Sequence, residues 1–111
     1  MTDKNKVTLG IKIPMSIAQR LDDSGQLNPE WISTFLSHAS DCWAVDSYYK
    51  KDENFLDELQ YTYTFKTSVG LVRKLRQTMP KASVTTMVLF CQYLFYQYYD
   101  ELKVLIPNGE D

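Results

Sequence analysis

Thr8, Gly10 and Lys12 take alternate positions in one short stretch, and Thr62, Thr64 and Lys66 take alternate positions in another. In an extended chain that spacing puts each set on one face. A strip of hydroxyl and ammonium groups separated by a bare glycine donates and accepts hydrogen bonds. Without a neighbouring base or metal-ligand set, its chemistry is recognition of a polar or anionic surface rather than turnover.

The other reactive residues do not assemble a catalytic pattern. His38 is the only histidine, which leaves a nucleophile triad or a two-histidine metal site without its parts. Cys42 and Cys91 stand outside any CxxC pair and read as buried free thiols in a reducing compartment. Asp22 with Asp23, Asp52 with Glu53 and Asp57 with Glu58 are adjacent pairs. Neighbouring carboxylates on a helix diverge, and this spacing is not that of a calcium loop. With four glycines in the chain there is no glycine-rich phosphate loop. No enzyme, metal or cofactor is expected.

The polar strips must be carried by strands. VTLGIKIP, residues 7–14, alternates Val7, Leu9, Ile11 and Ile13 against the first strip, and YTYTFKTS, residues 61–68, alternates Tyr61, Tyr63, Phe65 and Thr67 against the second. Adding 54 to each position of the first stretch superposes the two patterns, and the register continues beyond them. Pro14 opens a helix carrying Ile17 and Leu21, which Ser24 and Gly25 stop. Asn28, Pro29 and Glu30 then suit the N-cap and first turn of a second helix, whose inner face is Ile32, Phe35, Leu36 and Ala39 and which extends to Trp43. In the second copy Ser68 caps a helix carrying Leu71 and Leu75, and Met79 and Pro80 end it. Ser83 is expected to cap the last helix. Its inner face, Met87, Phe90, Cys91, Leu94 and Tyr98, falls one residue later than the strict offset.

At 111 residues and 44% hydrophobic content the chain is sized for one compact domain. Within it, residues 1–44 form the first copy, 45–60 an acidic linker, 61–106 the second copy and 107–111 a loose tail. Asn54 is placed to cap one helical turn of the linker, containing Phe55, Leu56 and Leu59. No leader pattern or membrane-length apolar run is present, so a cytoplasmic protein without membrane contact is expected. The formal charge of −2 is unevenly spread. Residues 61–81 hold Lys66, Arg73, Lys74, Arg76 and Lys81 without an acid, whereas the acids gather in the linker and tail.

Strand, helix, capped helix, seen in GIKIPMSIAQRL and again in TFKTSVGLVRKL, resembles the ribbon-helix-helix (Arc/MetJ/CopG-like) superfamily of DNA-binding proteins. Two copies in one chain resemble its TraY-type members. The resemblance implies a mainly α fold with a two-stranded antiparallel β-ribbon, a tandem pseudo-dimer within one polypeptide. It implies double-stranded DNA as partner, read in the major groove by Thr8, Gly10, Lys12, Thr62, Thr64 and Lys66. Lysine can donate to guanine O6 and N7, and threonine can bond either way or pack against a thymine methyl. Phosphates would be anchored by Lys6 and by the helix starts at Asn28 and Ser83. The implied role is a small transcriptional repressor, or an accessory factor of a plasmid or phage.

The stretch FCQYLFYQYYDEL is aromatic on more than one face of its helix. Tyr93, Tyr96 and Tyr99 therefore either serve self-association through the last helix or lean on their neighbours. The alternative to DNA reading is a protein-interaction module or inhibitor built on the same fold, with a protein partner.

Overall fold

The computed structural model describes residues 6–46, 59–81, 86–104 and 106. Among them lie two strands, β1 (Lys6–Pro14) and β2 (Gln60–Ser68), and four helices, α1 (Met15–Asp23), α2 (Pro29–Asp46), α3 (Val69–Thr78) and α4 (Met87–Leu102). The chain is a mixed α/β protein in the order β1-α1-α2-β2-α3-α4. The expected helical turn capped by Asn54, the tail from Pro107 and most of the linker lie outside the described residues.

The strands pair antiparallel along their whole length, from Lys6 opposite Ser68 to Pro14 opposite Gln60. The alternation sorts their side chains as the pleat requires. Leu9, Ile11, Ile13 and Phe65 are buried on the inner face. Thr67 is also buried there, and its hydroxyl is 2.8 Å from that of Ser33 on α2. Tyr61, Tyr63 and Phe65 stack along β2 with ring centroids 6.5 and 5.2 Å apart.

Each helix starts where a partner satisfies one of its first N–H groups, locally for all but α1. Pro14 has no side chain that can cap α1, and the Met15 N–H donates instead to the Leu59 carbonyl at 2.8 Å, just before β2. Ser68 caps α3 by accepting from the Leu71 N–H at 3.1 Å. Asn28 Oδ1 accepts from the Trp31 N–H at 2.8 Å and so caps α2. Gly25 ends the turn after α1 at φ 75°, in the left-handed region where a side chain is strained. Replacing Asn28 by alanine is expected to lower stability by about 1 kcal/mol, and a urea titration of the variant checks this.

The core lies between the inner face of the ribbon and the helix pair α2 and α4. Ile32, Phe35, Leu36 and Ala39 on α2 and Cys91, Leu94 and Phe95 on α4 have no exposed surface. Trp31, near the start of α2, packs edge-on against Tyr99 at the end of α4, whereas Trp43, late in α2, packs against Phe90 and Tyr93 at its beginning. The two helices therefore cross in opposite directions, with Phe35 and Phe95 stacked at 4.3 Å between those ends. Burial pushes the Cys91 thiol up to about 12, consistent with its expected role as an inert core residue. Cys42 is also a free thiol but is only half-buried, short of the burial expected for it.

Candidate nucleic-acid interface

The exposed face of the ribbon gathers the six alternating residues into one strip. Thr8 stands opposite Lys66, Gly10 opposite Thr64 and Lys12 opposite Thr62. Thr8, Lys12, Thr62, Thr64 and Lys66 are exposed, and Gly10 is half-buried. Directly opposed residues in an antiparallel pair share a face, so the strip is three residue pairs long and two strands wide. Within it, each lysine is opposed by a threonine across the ribbon. A Cβ built on Gly10 would come no closer than 3.8 Å to Thr64 Oγ1. A side chain therefore fits at Gly10, and the bare backbone at the centre of the strip is not a packing requirement.

Lys6, facing Ser68 at one end of the ribbon, extends the same face. That end opens into a groove of about 840 Å³ shared by Lys6, Lys66 and Ser68 with Asn28, Glu30 and Ser33 at the start of α2. Thus Lys6 and Asn28, separated by 22 positions in the chain, meet in one place. The Asn28 side chain is already committed, accepting from Trp31 N–H and donating to the Gly25 carbonyl at 3.0 Å. Pro29 has no N–H, and the Ile32 N–H goes to the Asn28 carbonyl. What the first turn of α2 can offer an anion is the Glu30 N–H, together with the positive end of the helix dipole. The Glu30 carboxylate lines the same groove and opposes it.

A second groove of about 400 Å³ continues along α2. Ser33, Thr34 and Ser68 line both, and Ser37, His38 and Lys74 line the extension. Lys74 Nζ lies 3.0 Å from Ser37 Oγ and 2.8 Å from Asp41 Oδ1. The sequence reading missed this hydroxyl-rich extension. Its only signal there was the polar residues at 33, 34, 37 and 38, which occupy the side of α2 opposite the apolar positions.

Two expectations are corrected. The cap of α4 is Thr86, whose Oγ1 accepts from the Leu89 N–H at 3.3 Å, so the helix starts at Met87. Ser83 lies outside the described residues. Ser83 and Thr86 are both suitable caps, and periodicity alone does not choose between them. The second correction concerns the tyrosines. Tyr93 and Tyr99 are buried, closed in by Trp43 and Trp31, so they belong to the core of this chain and offer no surface to another copy. Tyr96 alone is exposed, at 37%. The Tyr99 hydroxyl is raised above its ordinary range, chiefly by burial, and the Lys103 ammonium lies 5.4 Å from its ring centroid.

Among the described residues no cluster of three or more His, Cys, Asp or Glu side chains is placed to hold a metal ion. No helix there is long and apolar enough to cross a membrane. Comparison of the chain with protein-family models, with curated proteins and with solved structures found no significant match.

Proposed function

We propose that the chain is a DNA-binding regulator, two ribbon-helix-helix units joined in one polypeptide, that lays its ribbon in the major groove of duplex DNA. The observation that carries this reading is the strand register. The 54-residue offset between the sequence copies equates Gly10 with Thr64, and these residues face each other at the middle of the ribbon. An approximate twofold axis through that pair exchanges Thr8 with Thr62 and Lys66 with Lys12. It thereby carries the pair Thr8 and Lys66 onto the pair Thr62 and Lys12. Arbitrary pairing of two strands gives no reason for the centre of the ribbon to coincide with residues that the repeat equates. The opposed crossing of α2 and α4 is compatible with the same axis.

A two-stranded ribbon is narrow enough for the major groove, about 12 Å wide, where each base pair presents a distinct set of donors and acceptors. Lys12 and Lys66 supply donors for guanine, and the threonines adapt to donor, acceptor or methyl group. The strip holds no arginine, asparagine or glutamine, so selectivity per base is modest and phosphate contacts carry much of the affinity. Gly10 and Thr64 differ at the axis, which favours an imperfect palindrome.

Selection of bound sequences from a random duplex pool at near-physiological salt is expected to return such a site. With about four to six phosphates neutralised, the logarithm of affinity should fall against the logarithm of salt with a slope near −4 to −5. A pool that shows no enrichment, or a flat salt response, overturns the reading. A second reading, a protein-interaction module on the same fold, is favoured by exposed apolar residues, Leu59 at 71% and Tyr61 at 37%, near one end of the ribbon. It predicts the flat response.

A further inference from the structure

The helices that follow the two strands are equivalent under the repeat but opposite in charge. The 54-residue offset carries Gln19 to Arg73, Arg20 to Lys74, Asp22 to Arg76 and Asp23 to Gln77. The charged residues of α1 are thus one arginine and two aspartates, whereas those of α3 are two arginines and one lysine without an acid. Leu71 and Leu75 are buried and Lys74 turns to Asp41 on α2, which leaves Arg73 and Arg76 exposed as neighbours on the helix surface. Asp22 and Asp23 are likewise exposed. Among the described residues no ion pair engages any of these four side chains.

The fold does not call for this arrangement. Asp22 and Asp23 sit in the last turn of α1, where the negative end of the helix dipole disfavours carboxylates, and neighbouring arginines on α3 repel each other. The ribbon sets the two helices apart. Pro14, which leads into α1, lies opposite Gln60, and Ser68, which leads into α3, lies opposite Lys6. The acidic and basic helices therefore leave from opposite ends of a nine-residue ribbon, about 27 Å apart at 3.4 Å per residue.

We infer that these helices join neighbouring copies head to tail on DNA, Arg73 and Arg76 of one copy meeting Asp22 and Asp23 of the next, so that the protein lines up along direct repeats of its site. This rests on the DNA-binding reading. The occupant follows from charge complementarity. Halves of the same charge would set like against like at any such junction, whereas opposite charge at positions that the repeat equates makes the two ends of one molecule fit each other. Copies in the same direction bring α3 to α1. Opposed copies bring α3 to α3 or α1 to α1, and these repel. A head-to-tail contact of this kind does not close on a pair of copies, so it extends along the duplex. Exposed ion pairs are weak, no more than about fivefold each, so the contact forms between copies that the duplex already holds side by side at high effective concentration.

The test uses duplexes carrying the selected site twice, in direct or inverted arrangement, over a series of spacings that covers about one helical turn, roughly 10 base pairs. An imperfect palindrome has two distinguishable halves, which gives the site a direction. Fluorescence anisotropy gives the affinity for the second site relative to the isolated site, so a change in single-site affinity cancels. At the best spacing the direct repeat should show about fivefold to tenfold cooperativity that fades as salt rises, and the inverted repeat none. Arg73→Glu with Arg76→Glu, or Asp22→Arg with Asp23→Arg, should each bring the direct repeat below about twofold. The chain carrying all four changes should recover it, with thermal unfolding of every variant as a check on the fold. Equal cooperativity in both arrangements, none in either, or no recovery in a folded chain with all four changes would overturn the head-to-tail contact while leaving the ribbon reading in place. The comparison of direct with inverted repeats needs no variant and decides even where a variant fails to fold. Failure of the unaltered protein to bind the isolated site overturns both.

Discussion

Phe35→Ala is expected to destabilise the fold by about 3–5 kcal/mol, as large-to-small changes at fully buried aromatic positions do. The ring has no exposed surface and stacks on Trp31 at 5.6 Å and on Phe95 at 4.3 Å. It sits where α2 crosses α4, so truncation leaves a void between the helices that join the two halves of the chain. Domains of this size are typically stable by only about 5–15 kcal/mol, so the variant should be close to the limit of folding. Urea denaturation followed by circular dichroism should show a midpoint lowered by about 2 M. Tyr96→Ala, on the exposed side of α4, should cost less than about 0.5 kcal/mol. If both variants lie within about 1 kcal/mol of the parent, α2 and α4 do not meet as described.

That crossing explains why the fold was largely legible in the sequence. Binary pattern alone locates Ile32, Phe35, Leu36 and Ala39 on one face of α2, and all four are fully buried. Strand alternation and the 54-residue repeat locate both strands. The antiparallel ribbon then satisfies edges that neither strand could satisfy alone. Long-range closure was not legible. Tyr93 and Tyr99 lie off the expected inner face of the last helix, and only the arrival of Trp43 and Trp31 from α2 encloses them. A helical period describes one helix, whereas two large indoles widen the buried arc of another. The Met15 N–H bond to the Leu59 carbonyl is a contact of the same kind, since no local pattern pairs the start of α1 with the residue before β2.

The candidate site divides along the same line. The strip was readable because a period of two decides which side of a strand faces outward, and burial of Leu9, Ile11, Ile13 and Phe65 leaves the alternate residues exposed. The pairing of Thr8 with Lys66 and Thr62 with Lys12 needed the register. The groove needed tertiary structure, because Lys6, Asn28, Thr34 and Ser68 come from β1, the loop before α2, α2 and β2.

Replacing Lys12 and Lys66 together by alanine is expected to weaken duplex binding about thirtyfold or more while leaving the fold intact. Each lysine is exposed and is opposed by a threonine across the ribbon, so its loss opens no cavity. Stability should stay within about 0.5 kcal/mol of the parent. In the proposed complex each ammonium group donates to base or phosphate acceptors, and a good base contact is worth about 1–3 kcal/mol. Two such contacts multiply to roughly thirtyfold at the least and about twenty-thousandfold at most. Anisotropy titrations on the selected duplex give the affinity, and urea denaturation gives the stability. Lys103→Ala provides the comparison, because that lysine is bound to Asp100 at 3.3 Å outside the ribbon and should matter little to the duplex. Should the double variant and Lys103→Ala bind equally well, the ribbon is not the DNA-reading surface. Should the double variant lose stability along with affinity, the lysines support the fold in a way that their exposure does not suggest.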